Sequence, residues 1–281
     1  MSTLTTADGL RLELRHWPCA DARGTVLMVH GLGEHIGRYE HVAAQLLRSG
    51  RNVVGYDQRG HGMSEGARGA LASSDSLLSD LAILIDAVRL EHPGPLVLLG
   101  HSMGGLVAAR MAGAGLETAR PPWQRQVDGL ILSSPALDPG MSGAQKLLLS
   151  VLGPLVPNLG VGNGLKPDWV SRDPSVVKAY VDDPLVHDRV TPRLARFIVD
   201  AGEIVRAQAA QWRVPTLLLY AGSDRCVSPA GSAAFAGAAP QSAVTSQAFQ
   251  PLFHEIFNEP EHAEVFAVMA AWLSPAATRR R

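Results

Sequence analysis

Residues 96–108 read LVLLGHSMGGLVA, and this stretch constrains the fold more than any other in the chain. The apolar run Leu96–Leu99, bounded by Pro95 and Gly100, predicts a buried strand. Leu106, Val107, Ala108, Ala109 and Met111 predict a helix directly after it. Between them lies Gly100-x-Ser102-x-Gly104. A turn from strand to helix in so few residues is crowded, and a glycine on either side of the serine relieves the crowding because it has no Cβ. Such a turn lifts the serine oxygen out of the sheet and sets it near the first N–H groups of a helix, where negative charge is favoured. A Gly-rich turn with an incidental serine would not need both flanking elements, so Ser102 reads as a nucleophile.

The rest of the chain supplies the sheet that such a turn requires. Thr25–His30, Asn52–Tyr56, Leu130–Leu132 and Thr216–Tyr220 are apolar runs that predict strands buried on both faces. Leu10, Leu12 and Leu14 alternate with polar neighbours and predict a half-exposed first strand, and Ala243–Phe249 a weaker last one. Helices are expected over Arg38–Ser49, Asp75–His92 and Asn258–Leu273. Strands alternating with helices predict an α/β fold, with a mostly parallel sheet covered on both faces. Residues 135–212 break the rhythm: prolines and glycines cut them into short helical pieces without a clear strand. A connection of this length is usually functional. It reads as a cap inserted into a core made of residues 1–134 and 213–281.

Composition narrows the function classes. With 281 residues and 46% hydrophobic content, the chain can bury a large core. The 25 basic and 26 acidic residues leave a net charge of −1, which gives no electrostatic footprint for nucleic acid. Arg279-Arg280-Arg281 reads as a solvated tail. Two cysteines, Cys19 and Cys226, form no disulfide framework, and the first residues lack a basic and an apolar region of the signal-peptide kind. These features lead to the expectation of a cytoplasmic protein without an obligate protein partner. His30, Glu34 and His35 do not have H-E-x-x-H spacing, and Gly31 and Gly33 lack the third glycine of a dinucleotide fingerprint, so neither metal nor cofactor is expected. In Asp57-Gln58-Arg59-Gly60-His61-Gly62-Met63-Ser64, Asp57 and Arg59 read as structural residues hydrogen-bonded to backbone.

A serine hydroxyl becomes a useful nucleophile when a histidine takes its proton and an acid orients that histidine. On an open α/β sheet these groups sit on loops at the carboxyl ends of strands, in the chain order serine, acid, histidine. Between Ile204 and His254 the acidic candidate in such a place is Asp224, just after the strand Thr216–Tyr220. His254 follows the last expected strand. For the oxyanion that develops on an attacked carbonyl, the backbone N–H of Met103 is one candidate donor. Leu32, in the Gly31–Gly33 loop after the strand Thr25–His30, is the other.

Together these residues resemble the α/β-hydrolases of the monoacylglycerol lipase and lysophospholipase type, close to the serine aminopeptidase group. The resemblance rests on HGLGEHIGRYEHVA (His30–Ala43), YDQRGHGMSEG (Tyr56–Gly66), GHSMGG (Gly100–Gly105), SRDPSVVKAYVDDPLVHDRVT (Ser171–Thr191), GSDRCVSP (Gly222–Pro229) and HEIFNEPE (His254–Glu261). It implies the same nucleophile, acid, base and oxyanion donors. It also implies substrate-binding roles near a polar headgroup for Arg38 and Tyr180, while a further histidine of that site falls on Phe257. The first half of the cap does not match. The expected function is hydrolysis of single-chain lipid esters, foremost monoacylglycerols. Lysophospholipids, small esters or thioesters, and aminoacyl amides are the alternatives, and a non-catalytic ligand-binding protein on the same fold is a remote one.

Residues Leu147–Leu165 contain no charged side chain. Their length approaches that of a membrane span, but Pro154, Pro157, Gly160, Gly162 and Gly164 break any spanning helix. The segment reads as a short apolar helix, about Gln145–Leu152, followed by a Pro/Gly-rich piece. The two would form a lid over Ser102, lining an acyl tunnel on the inside and touching micelles or a bilayer on the outside.

Overall fold

The computed structural model describes residues 2–274, so the expected solvated tail Arg279–Arg281 lies outside the described residues. The strands are β1 (Ser2–Thr5), β2 (Arg11–Trp17), β3 (Thr25–Val29), β4 (Asn52–Tyr56), β5 (Leu96–His101), β6 (Gly129–Ser133), β7 (Val161–Gly162), β8 (Arg189–Val190), β9 (Thr216–Ala221) and β10 (Val244–Phe249). The helices are α1 (Glu40–Arg48), α2 (Ser76–Glu91), α3 (Met103–Gly113), α4 (Gly143–Leu152), α5 (Pro174–Asp182), α6 (Pro192–Ala207), α7 (Pro229–Ala238) and α8 (His262–Leu273). Eight strands form one sheet in the order β1-β2-β4-β3-β5-β6-β9-β10. From β4 onward every pairing in it is parallel, whereas β1–β2 and β2–β4 are antiparallel.

The period-two alternation of strand side chains divides the core in two. Leu27, Val29, Leu96 and Leu98 face a cluster shared with α2, α3 and α6. Val26, Met28, Val97 and Leu99 face a second cluster with α1 and α8. The central strands are therefore apolar on both sides, as their sequences require. Because the strands are parallel, the carboxyl ends of β3, β5, β6, β9 and β10 lie along one edge of the sheet, and every expected reacting group follows one of them.

The structure adjusts several expectations. The hairpin strand β1 was not expected, because Ser-Thr-Leu-Thr carries no hydrophobic pattern. The last helix begins at His262 rather than Asn258, since residues 255–261 turn back on themselves through Asn258 N–H to Glu255 O at 2.7 Å and His262 N–H to Glu259 O at 2.9 Å. Asp57 does accept from backbone, at Ile36 N and Met63 N, both 2.8 Å. Arg59 does not bond backbone: it forks onto Asp80 (2.6 and 2.8 Å) and Asp8 (both 2.9 Å), because a buried guanidinium needs carboxylate partners.

The long connection after β6 adds no strand to the large sheet. Within it β7 and β8 pair into a two-residue ribbon. Helix α6 buries Leu194, Phe197, Ile198, Ala201 and Val205 in the core beside α3. Helix α4 occupies almost the expected span and is closed at its start by a Ser142–Gln145 capping box. Among the described residues no helix is long and apolar enough to cross a membrane.

Candidate active site

Ser102 stands between β5 and α3 with φ 52° and ψ −119°, a conformation that strains a non-glycine residue. The neighbouring glycines are dictated by contact. A Cβ on Gly104 would lie 2.1 Å from the Val29 carbonyl oxygen, and one on Gly100 would lie 2.4 Å from that of Gly104. The turn is fixed by Ser102 N–H to Ser133 O at 3.0 Å and by Leu106 N–H and Ala136 N–H, both donating to Ser102 O. Met103 opens α3, so its N–H belongs to the first turn of the helix, where donors have no partner within the helix.

Parallel pairing of β9 and β10 sets Phe249 beside Ala221, so the loops that follow them meet. Asp224 and His254 come together there, with His254 Nδ1 2.7 Å from Asp224 Oδ2. The other Asp224 oxygen accepts from Cys226 N–H at 2.8 Å and Val227 N–H at 3.1 Å, which fixes the carboxylate against its own loop. With Nδ1–H given to the carboxylate, the Nε2 lone pair is left for an incoming proton. Burial disfavours the His254 imidazolium, but the Asp224 charge and hydrogen bond, with Glu255 and Glu34, outweigh it and raise the pKa above the ordinary value. Burial, reinforced by Asp224, pushes the Cys226 thiol upward, so it stays protonated.

Ser102 and His254 line one cavity with Gly31, Leu32, Glu34, His101, Cys226 and Glu255. Leu165, Lys166, Pro167, Val170 and Tyr180 roof it, and its volume is 40 Å³. Gly31 packs closely enough on Ser102 that a Cβ there would come within 3.2 Å of the serine Cβ, which brings Leu32 close to Ser102.

Tyr180 is thus on the cavity wall, whereas Arg38 stands behind it. Arg38 Nη1 donates to Glu34 Oε2 and Glu255 Oε1, both at 2.7 Å, and Nη2 to Glu255 Oε2 at 2.8 Å. Its guanidinium lies 4.9 Å from the centre of the Tyr180 ring. Glu34 Oε1 accepts from Gly31 N–H and the Tyr39 hydroxyl, both at 2.6 Å. Burial opposes ionisation of Glu34, but Arg38, helped by His101 and His30, holds its carboxyl below the usual range. Phe257 is buried and stacks on Phe266 at 5.3 Å, as a core residue. Sequence reasoning missed Glu34 and Glu255; the available signal was their position, one inside the Gly-rich loop and one next to His254.

The roof is held by its second half. Glu259 accepts from the Ser171 hydroxyl, Arg172 N–H and Arg172 Nε, all at 2.6 Å, and Glu255 N–H donates to Val170 O at 2.8 Å. Opposite, His35 Nε2 meets Asp183 Oδ2 at 2.8 Å and His187 N–H donates to Gly33 O at 2.8 Å. Of the segment expected to cover Ser102, residues 147–165, Leu165 alone is part of that roof among the described residues. Leu149, Pro154 and Pro157 instead line a 390 Å³ cavity against Phe197, Ala201 and Ile204, whose walls do not include Ser102. Leu147, Leu148, Val151, Leu155 and Leu159 are exposed.

His30, Glu34 and His35 are each engaged elsewhere, at Gln58 N–H, Arg38 and Asp183. Two other groups have metal-ligand chemistry among the described residues, His16/Glu91/His92 at the surface and Asp224/Cys226/His254 in the site. In the second, the His254 Nδ1 and Asp224 oxygens already satisfy one another and nearby N–H groups.

A serine at a strained turn between strand and helix, an acid–histidine pair on the loops after β9 and β10, and a mostly parallel sheet define an α/β-hydrolase. The profile described as serine aminopeptidase, S33, matches residues 20–261. A monoacylglycerol lipase of Mycolicibacterium smegmatis is 36% identical over 270 residues, covering 94% of this chain and 93% of that protein. Phospholipase YtpA of Bacillus subtilis is 30% identical, covering 91% and 97%. The crystal structure of the Paleococcus ferrophilus monoacylglycerol lipase superimposes with a TM-score of 0.83 at 34% identity, covering 93% of this chain and 98% of that one. The chain belongs to this family: it is a serine hydrolase of the monoacylglycerol lipase type.

Proposed function

We propose that the chain hydrolyses esters of single-chain lipids, foremost monoacylglycerols, through an acyl-enzyme. The observation that carries this reading is the 2.7 Å contact of His254 Nδ1 with Asp224 Oδ2, with His254 and Ser102 lining one cavity. His254 Nε2 takes the Ser102 proton as Oγ attacks the ester carbonyl. The tetrahedral oxyanion draws on the N–H groups of Leu32 and Met103. Collapse of the intermediate breaks the ester C–O bond, and His254 returns the proton to the departing glycerol oxygen. Water then attacks the acyl carbonyl, its proton passing to His254 and on to Ser102 as the fatty acid leaves. The chemistry requires no cofactor.

The reading takes a glycerol ester as substrate from the relatives named monoacylglycerol lipase, which match this chain over nearly its whole length. In it, the inserted region 135–212 acts as the cap, with α6 packed into the core and the residues before it serving as cover. A cavity of 40 Å³ is far below the roughly 300–1,000 Å³ of ligand pockets, so a long acyl chain enters as the roof moves. The exposed leucines of α4 and of residues 155–159 would make transient contact with micelles or the surface of a bilayer from the cytoplasm. The test is labelling by a fluorophosphonate, with hydrolysis compared across monooleoylglycerol, lysophosphatidylcholine, p-nitrophenyl butyrate and an aminoacyl amide. Labelling at Ser102 with preference for monooleoylglycerol supports the reading; preference for the lysophospholipid or the amide overturns its substrate class.

A further inference from the structure

Arg38 sits at the joint between the loop that carries Leu32 and the loop that carries His254. Through Glu34 it reaches the Gly31 N–H, one residue from Leu32; through Glu255 it reaches the neighbour of His254. Its third side is covered by Tyr180, from the roof. Its side chain is 11% exposed, and those of Glu34 and Glu255 are 5% and 6% exposed, so the three charges meet out of water. Three of the guanidinium's N–H donors go to these two carboxylates, and an aromatic ring lies against its face.

We infer that Arg38 is a positioning residue that fixes the oxyanion loop relative to the loop of the base and sets the charge felt by His254, rather than a ligand for the headgroup. This rests on the reading of Ser102, Asp224 and His254 as the reacting groups. The geometric part follows from the fork: loss of Arg38 leaves Glu34 and Glu255 facing one another without a shared donor, and like charges push their loops apart. The electrostatic part follows from the surroundings of His254. The carboxylates of Asp224, Glu255 and Glu34 face it. The His101 ring lies 4.7 Å away and stays neutral, its pKa lowered to about 4 by burial and by His254. The Cys226 thiol is uncharged, and Lys166 and Tyr180 complete the wall. Arg38 offsets Glu34 and Glu255; without it, both stabilise the imidazolium.

The test compares wild type with Arg38→Gln, Arg38→Lys and Glu255→Gln, on monooleoylglycerol and on p-nitrophenyl butyrate, with kcat and KM followed across pH. Arg38→Gln is expected to lower kcat by about tenfold or more on both esters alike. It should move the acid limb of kcat/KM upward by roughly 0.5–1 pH unit. Glu255→Gln should move that limb downward, since it removes a negative charge. Arg38→Lys should restore the limb but not the full kcat, because a point charge lacks the fork. A loss confined to KM for monooleoylglycerol, with the acid limb unmoved, would make Arg38 a headgroup ligand and overturn the inference. Should Arg38→Gln fail to fold, an unmoved limb in Glu255→Gln overturns it equally. Fluorophosphonate labelling of the wild type at Ser102 keeps the two readings apart: labelling with unmoved limbs rejects the role of Arg38 alone, and no labelling rejects the reacting groups themselves.

Discussion

Glu255 donates its backbone N–H to the carbonyl of Val170 at 2.8 Å, so the residue after His254 is bonded to the roof of the cavity. Together with the grip of Glu259 on Ser171 and Arg172, this bond makes the base loop and the second half of the roof one unit. Movement that admits substrate while His254 stays in place would then come from elsewhere in residues 135–212. Among the described residues, 143–164 carry no hydrogen bond to the Gly31–Gly33 loop or to the loops of Asp224 and His254.

Replacing Leu148 or Leu155 with Asp tests the part played by that segment. Both side chains are exposed, so folding should be retained. Burying apolar surface contributes roughly 25 cal/mol per Å², and a charge on the surface forfeits it. Activity on monooleoylglycerol should fall several-fold with p-nitrophenyl butyrate spared, and vesicle binding should weaken. An unchanged ratio of long to short substrates would mean that the segment takes no part in lipid handling.

Ser102→Ala should leave the fold intact and lower kcat by ~10³-fold or more. Circular dichroism and a chromogenic ester assay check it. Residual activity above about a tenth of wild type would remove Ser102 from the chemistry.

Asp224→Asn should cost roughly 10²–10⁴-fold in kcat, while Cys226→Ala costs little. The carboxylate holds the His254 tautomer; the thiol is protonated and makes no such bond. In the wild type, kcat/KM should fall as pH drops through a pKa above the ordinary histidine value, because the imidazolium cannot accept the serine proton. If Cys226→Ala is the more damaging change, the base and acid must be reassigned.

Gly104→Ala should destabilise by about 3 kcal/mol or more, since backbone oxygens of Val29 and His30 stand 2.1 and 2.4 Å from the new Cβ. Gly237→Ala, in α7 with open space around it, should be neutral or gain up to about 1 kcal/mol. Urea midpoints compare the two; equal effects would contradict the packing of the turn.

Stability should decline as pH falls from about 6.5 to about 4. Burial holds His101 and His187 near a pKa of about 4. The unfolded chain takes up protons at ordinary imidazoles near pH 6.5, where these two remain neutral in the fold, so acid favours unfolding across that interval. Urea midpoints at pH 7 and pH 5 measure it, and equal midpoints would contradict the neutral buried state.

What could be read from the sequence was what sequence neighbours decide. The strand-to-helix turn at Ser102 was legible in its flanking glycines, strand and helix, and the meeting of Asp224 with His254 in their scarcity at strand ends. Arg38 could be noticed, but not its partner Glu255, 217 residues away, because nothing in a chain records which distant carboxylate a guanidinium will meet. The carboxylate partners of Arg59 escaped for the same reason, lying at Asp8 and Asp80. The strands β7 and β8 are two residues each, too short to carry any period. The placement of α4 against α6 rather than over Ser102 depends on packing that an apolar stripe does not specify.

The unequal anchoring of the roof separates two kinds of inheritance. Residues 170–191 are bonded to the Gly31–Gly33 loop and to the loop after β10, so changes there should disturb turnover. Residues 143–164 are under no such obligation. On the proposed reading, catalysis and lipid preference would drift independently in one chain: grafting a relative's 143–164 onto this core should exchange its acyl-chain preference and leave its turnover of a butyl ester alone.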